Sequence, residues 1–406
     1  MPPVSIQMSR ETSHAALRFQ LLDPLRGVAA LWVFTFHYAF SEPFRQSFPW
    51  LTPIFRMGYL GVPMFFVISG YCLMASVRTA VRDSESVRSF LYRRALRIFP
   101  PFWCSVVVVA LLPFAIEGLS ALKTGTFLRP TADGNINFGF LNYEAFDWLR
   151  VLTLTQVFAH VPQAANLQYK FTTINAVYWT LAIEFQFYIV MAVAVAMRAH
   201  ALRWLVVVTA LSLPIWFFSA WTVSGIFLPY WPMFAVGILL YLAIEFGVPR
   251  PRLGTLTTRT SATIVTVTLL VAFLAWTLAG RRIGELTFAG VFAGGLWFLH
   301  AFNDGYRGAL RNGSVQTRVA LQSIRHLGLM SYSLYLLHGR LQFLGHQLSR
   351  QVLPAGVALD VAAIGTTCVL CYGFYLYCER PFIRSRVATA EPAPVVAPPV
   401  GAAPAL

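Results

Sequence analysis

Charge is what this chain has least of. Only 12% of its 406 residues are Asp, Glu, Lys or Arg, whereas 57% are hydrophobic. A soluble domain carries roughly 25% charged residues, so a soluble globular protein is excluded and length here counts membrane spans. Acid is the scarcest: 16 Asp and Glu against 31 Lys and Arg leave a formal charge of +15. Such a surplus would suit nucleic acid, but the basic residues fall between apolar runs and form no continuous stripe, as the positive-inside rule requires of a membrane protein. Cysteine is rare as well. Cys72, Cys104, Cys368, Cys371 and Cys378 lie in or beside apolar runs without zinc-ligand spacing to histidine, so neither a metal site nor a redox role is expected. No internal repeat is visible, which weakens a transporter built from repeated halves. The polar segment 1–20 lacks the apolar core and cleavage site of a signal peptide and is expected in the cytoplasm. The Ala/Pro/Val tail 388–406 cannot pack a core and reads as disordered.

What is present is a series of apolar runs of spanning length, over 25–44, 58–78, 98–117, 176–197, 204–221, 228–246, 262–279, 284–302, 327–345 and 357–378. They predict an all-α polytopic membrane protein of about ten transmembrane helices in one bundle, with residues 21–387 as its domain. With the N-terminus inside, Arg78, Arg82, Arg88, Arg93, Arg94, Arg97, Arg318 and Arg325 fall on inner segments, and the outer loops keep only a few, such as Arg45, Arg56 and Arg281. That asymmetry places both termini in the cytoplasm. The long outer segment Leu119 to Asn175 has turn chemistry at 132–135 and an amphipathic piece, Trp148 to Phe158. Its aromatic and amide residues suit sugar contacts and a membrane-surface loop equally.

Ionisable residues inside these runs are the candidate site, because a charge in a membrane is costly. Arg26 and His37 are 11 positions apart on the first run, on one helical face and roughly 16 Å apart along the axis. Arg26 then belongs near a membrane surface and His37 deep within. Counting from helix ends brings Ser69, Glu184 and His338 to the same central band as His37. Glu184 beside His37 or His338 would make an acid/base pair; the alternative is a polar knot joining three helices. At the cytoplasmic edge Arg93, Arg94 and Arg97 are spaced to converge on one anion, a phosphate above all, unless they are retention charges or lipid contacts.

Together LDPLRGVAALWVFTFH, GYLGVPMFFVISGYCL, RRALRIFPPFW, VYWTLAIEFQFY, SYSLYLLH and ERPF resemble, in order and over most of the chain, the acyltransferase 3 family of bacterial integral-membrane enzymes. The family's Arg-ten residues-His motif falls on Arg26 and His37, its Arg-x-x-Arg on Arg94 and Arg97, and its buried glutamate on Glu184. Pro24, Pro63 and Phe185 depart from the commoner pattern, and Phe185 removes the second of two frequent glutamates. The resemblance implies an inner-membrane O-acyltransferase using acetyl-CoA or another acyl-CoA, without metal, on a glycan, glycolipid or other hydroxyl-bearing acceptor. Arg26, Arg94 and Arg97 would hold the donor's phosphates, and His37, oriented by a partner such as Glu184, would act as base. Tyr332, Ser69 or His338 would supply an oxyanion donor. Some relatives carry a further soluble domain after the last helix; the chain ends soon after ERPFIRSR, so direct transfer or a periplasmic partner enzyme is expected. The rival is a transporter that uses the same buried charges.

Overall fold

The computed structural model describes residues 19–125, 139–159, 174–217, 225–246, 284–300 and 303–382, and helices are the only regular elements among them. The long ones are α1 (Leu22–His37), α2 (Gly61–Arg82), α3 (Val87–Thr124), α4 (Tyr178–Met197), α5 (Ala201–Phe217), α6 (Trp231–Glu245), α7 (Gly284–Leu299), α8 (Val315–Leu329), α9 (Ser331–Ser349) and α10 (Val357–Phe374). Among the described residues, four runs are long and apolar enough to cross a membrane: Leu51–Arg82, Val87–Leu119, Tyr178–Trp216 and Val357–Phe382. The third of these folds on itself, because Arg198 turns the chain at φ 47° and Trp204 Nε1 then donates to the Val190 carbonyl at 3.0 Å. Val107, Leu111, Val206, Leu211, Leu239 and Val369 all point outward. Such a surface is unfavourable in water and costs nothing in lipid, and the chain is a multi-pass membrane protein. The expected span 262–279, the 132–135 turn and the tail lie outside the described residues.

Helices approach closely where glycine permits. Gly70 of α2 and Gly237 of α6 face each other's helix so tightly that a Cβ on either would strike the backbone carbonyl of Phe234 or Val67.

Several expected boundaries move, each for a local reason. The first helix stops at His37, not residue 44: Pro43 cannot continue a helix, Ser41 caps the short helix Glu42–Ser47, and Asp360 accepts from Tyr38 Oη at 3.3 Å and the Ser41 N–H at 2.9 Å. His37 is therefore an exposed helix end, not a buried mid-helix residue. In contrast, α3 begins at Val87, capped by Ser86, and carries Pro100, Pro101 and Pro113 inside it. The expected run 327–345 is two helices that meet at Met330, and the polar α8 lies almost wholly at the surface. The amphipathic piece at 148–158 is the helix Ala145–Leu152 followed by the 3-10 turn Gln156–Phe158. Finally, α10 runs into a π-helical turn, Tyr375–Glu379, whose extra residue carries Glu379 inward.

Candidate active site

Among the described residues, three cavities stand in series between the helices. One of about 630 Å³ is lined by Arg26, Arg78, Arg82 and Arg97 together with Tyr71 and Tyr241. A central one of about 220 Å³ holds Ser69, Glu184, Tyr332 and Glu379, and shares Asp23, Arg26 and Arg97 with the first. The third, about 480 Å³, is lined by His37, Tyr59, Trp179, Tyr230 and Glu285. It meets the central cavity only at Val62 and Tyr335, and shares no lining residue with the arginine cavity. Tyr335 is tied by a 2.7 Å hydrogen bond between its hydroxyl and Thr180 Oγ1, so the partition is a fixed side chain.

Helix α1 explains why two functional groups stand so far apart. It crosses the series with Arg26 at one end and His37 at the other, which the one-face spacing in the sequence anticipates. Arg97 reaches the same place as Arg26 from α3. It is surrounded by protein and yet exposed, because its accessible surface is cavity wall. Among the described residues neither Arg26 nor Arg97 makes a direct ion pair; Glu184 and Glu379 act on Arg97 through space. Two such cations at the mouth of a cavity favour an anion.

The other two arginines of the cluster do not converge with them. Arg94 donates to Ser76 Oγ and lies over the rings of Phe90 and Tyr188, at 5.5 and 5.8 Å. Arg93 pairs with Glu85 at the surface. A helix with Arg at positions 93, 94 and 97 spreads them over about 100° between the first two, and the protein uses that spread.

The expected Glu184–histidine pair is not formed. Glu184 Oε1 accepts from Tyr188 Oη at 2.7 Å and Ser69 Oγ at 3.4 Å. His37 instead meets His338, with Nδ1 3.3 Å from His338 Nε2 and ring centroids 5.1 Å apart. His37 Nδ1 also lies 2.9 Å from the Val33 carbonyl. The three expected oxyanion donors are engaged elsewhere: Tyr332 Oη donates to the Ile98 carbonyl at 3.0 Å, Ser69 to Glu184, and His338 Nδ1 faces the Leu334 and Tyr335 carbonyls at 3.1 and 2.9 Å. Glu379, in the ERPF segment, is a site residue that sequence reasoning does not single out. It is 5% exposed, accepts from the Ser333 N–H at 3.1 Å and from its hydroxyl, and lines the central cavity. An acid at the end of the last apolar run was the available signal. Among the described residues no group of His, Cys, Asp and Glu could hold a metal ion.

The family model described as "Acyltransferase domain" matches residues 19–376. Nodulation protein 10 of Rhizobium leguminosarum bv. viciae is 29% identical over 181 residues, 44% of this chain and 38% of that protein. The O-acetyl transferase of Shigella phage Sf6 is 33% identical over 178 residues, 43% of this chain and 45% of the relative. Peptidoglycan O-acetyltransferase OatA of Listeria monocytogenes is 28% identical over 187 residues, 45% of this chain and 25% of its own. The matched region is thus less than half the length of each of these relatives. No solved structure matches the chain.

Proposed function

The chain belongs to this acyltransferase family, and on that premise we propose that it is an O-acyltransferase of the inner membrane, with about ten spans and both termini in the cytoplasm. It moves an acetyl or short acyl group from acyl-CoA to a hydroxyl of a cell-surface glycan or glycolipid. The observation that carries this reading is the pair Arg26 and Arg97, two cations without a direct ion pair among the described residues, at the junction of two cavities. They hold the donor's phosphates, with Arg94 bracing α3, the helix that carries Arg97. The central cavity takes the pantetheine arm and brings the thioester to the Val62–Tyr335 partition. The acceptor lies in the cavity of His37.

There His37 takes the acceptor's hydroxyl proton while the oxygen attacks the thioester carbonyl carbon. The tetrahedral oxyanion collapses, the C–S bond breaks, and the CoA thiolate leaves and recovers the proton from the imidazolium. Glu184 and Glu379 balance the charge of the arginines and take no proton in this scheme. The name of the OatA relative, a peptidoglycan O-acetyltransferase, favours a cell-surface glycan as acceptor.

Purified protein given acetyl-CoA and a sugar acceptor should release free CoA and form an ester in equal amounts. A transporter of acyl groups, glycans or protons would leave the thioester intact, and that result would replace this reading.

A further inference from the structure

We propose that His338 is a positioning residue that sets the tautomer of His37. The inference rests on the reading of His37 as base. His338 is fully buried on α9 and lines neither neighbouring cavity, so it touches no substrate. Its Nδ1 faces two backbone carbonyls, those of Leu334 at 3.1 Å and Tyr335 at 2.9 Å. Carbonyls only accept, so Nδ1 carries the proton and Nε2 of the neutral ring keeps a lone pair. That lone pair faces His37 Nδ1 at 3.3 Å. The Val33 carbonyl, 2.9 Å from the same nitrogen, also demands a proton there. Both acceptors therefore put the His37 proton on Nδ1 and leave Nε2 as the basic nitrogen, for which no described residue provides a hydrogen bond.

The arrangement performs the orienting task of a buried carboxylate without its charge. A carboxylate behind the imidazole would have to be desolvated in a low-dielectric interior, which disfavours the ion. A neutral imidazole accepts the same N–H bond and is pinned by groups that cost nothing extra, since the carbonyls belong to its own helix. When His37 takes up the acceptor's proton, its Nδ1–H stays directed at His338, and the cation is stabilised by a lone pair already in place. The sequence distance between the two, 301 residues, is bridged by the packing of α9 on α1.

The experiment uses the full chain in detergent micelles, with acetyl-CoA as donor and methyl α-glucoside as acceptor probe. His338→Leu removes the acceptor and keeps much of the volume; His338→Gln keeps an oxygen that accepts from His37. Leu should lower kcat about 10–100-fold with KM for acetyl-CoA within about twofold, and Gln should restore most of the loss. Equal kcat in the Leu variant and wild type, or equal losses in Leu and Gln, overturns the proposal. A second arm needs no activity. In ¹⁵N-histidine protein, a through-hydrogen-bond coupling should join His37 Nδ1 to an unprotonated His338 Nε2. A proton on His338 Nε2 at neutral pH overturns the assignment. Wild-type protein that transfers nothing to any hydroxyl refutes the acyltransferase reading, while the coupling still decides the pairing of the two rings.

Discussion

Arg94 and Arg97 are one turn apart on α3 and face different surroundings: Arg97 opens into two cavities, while Arg94 rests on Tyr188 and donates to Ser76. A pattern of two arginines three apart does not by itself mean two ligand contacts. Here one of them reaches the cavities and the other holds α3 against α2 and α4.

This difference separates their variants. Arg97→Ala should weaken acetyl-CoA binding about tenfold to a hundredfold, the worth of a lost charge-assisted contact of about 1.5–3 kcal/mol. Lysine at 97 should restore only part, since it lacks the planar fork. Arg94→Ala should lower thermal stability and binding together, and Arg93→Ala should change neither by more than about threefold, because exposed pairs are worth about 0–1 kcal/mol. Titration of purified variants with acetyl-CoA, beside their melting curves, checks all three. An Arg93 effect as large as that of Arg97 would return the donor site to the surface.

His37→Gln keeps a hydrogen-bonding side chain of similar size but offers no base. The variant should fold and bind acetyl-CoA while transfer falls by about 10²–10⁴-fold. Acyl transfer and donor affinity measured on one preparation decide it. A well-folded His37→Gln protein with near-normal transfer would make His37 a packing residue.

Glu184 sits in the central cavity with Ser69 and Tyr188, away from His37. Gln at 184 keeps an acceptor for both hydroxyls and removes a negative charge near Arg97. Transfer should therefore fall less than about tenfold, far less than for His37→Gln. Losses of equal size would place Glu184 among the proton-transferring groups. The comparison is made on kcat, with donor affinity as the control.

Single cysteines at positions 88 and 318 should react with a membrane-impermeant thiol reagent only in opened cells or inverted vesicles. Those at 135 and 281 should react in intact spheroplasts. Labelling of position 135 from the cytoplasmic side would reverse the orientation and with it the order of the three cavities.

How much of this was legible in the sequence depends on range. The helical class followed from the scarcity of charge and the apolar runs, and the shared face of Arg26 and His37 followed from helical periodicity alone. Where a single local cue competed with the run, the run misled: Pro43 and Ser41 end the first helix well before residue 44. The pairing of His37 with His338 was not legible, because depth counted from helix ends carries an error of a turn and says nothing of rotation about each axis. Glu184, at a similar counted depth, was equally eligible. Only the packing of α9 and α1 chooses between them. Glu379 escaped for another reason. The π-helical turn shifts it to a face that a regular helix would not give it.

The partition formed by Val62 and Tyr335 bears on the energetics of the cell that carries this protein. A pore joining the two sides of a bioenergetic membrane would discharge its proton gradient, at about 2.3 kcal/mol per charge for each 100 mV. Because the arginine and histidine cavities share no lining residue, an acyl group would, on the proposed reading, be the one group that has to pass the partition. On that reading the partition keeps the membrane sealed while transfer proceeds, and a variant with glycine at both 62 and 335 should make vesicles leak protons.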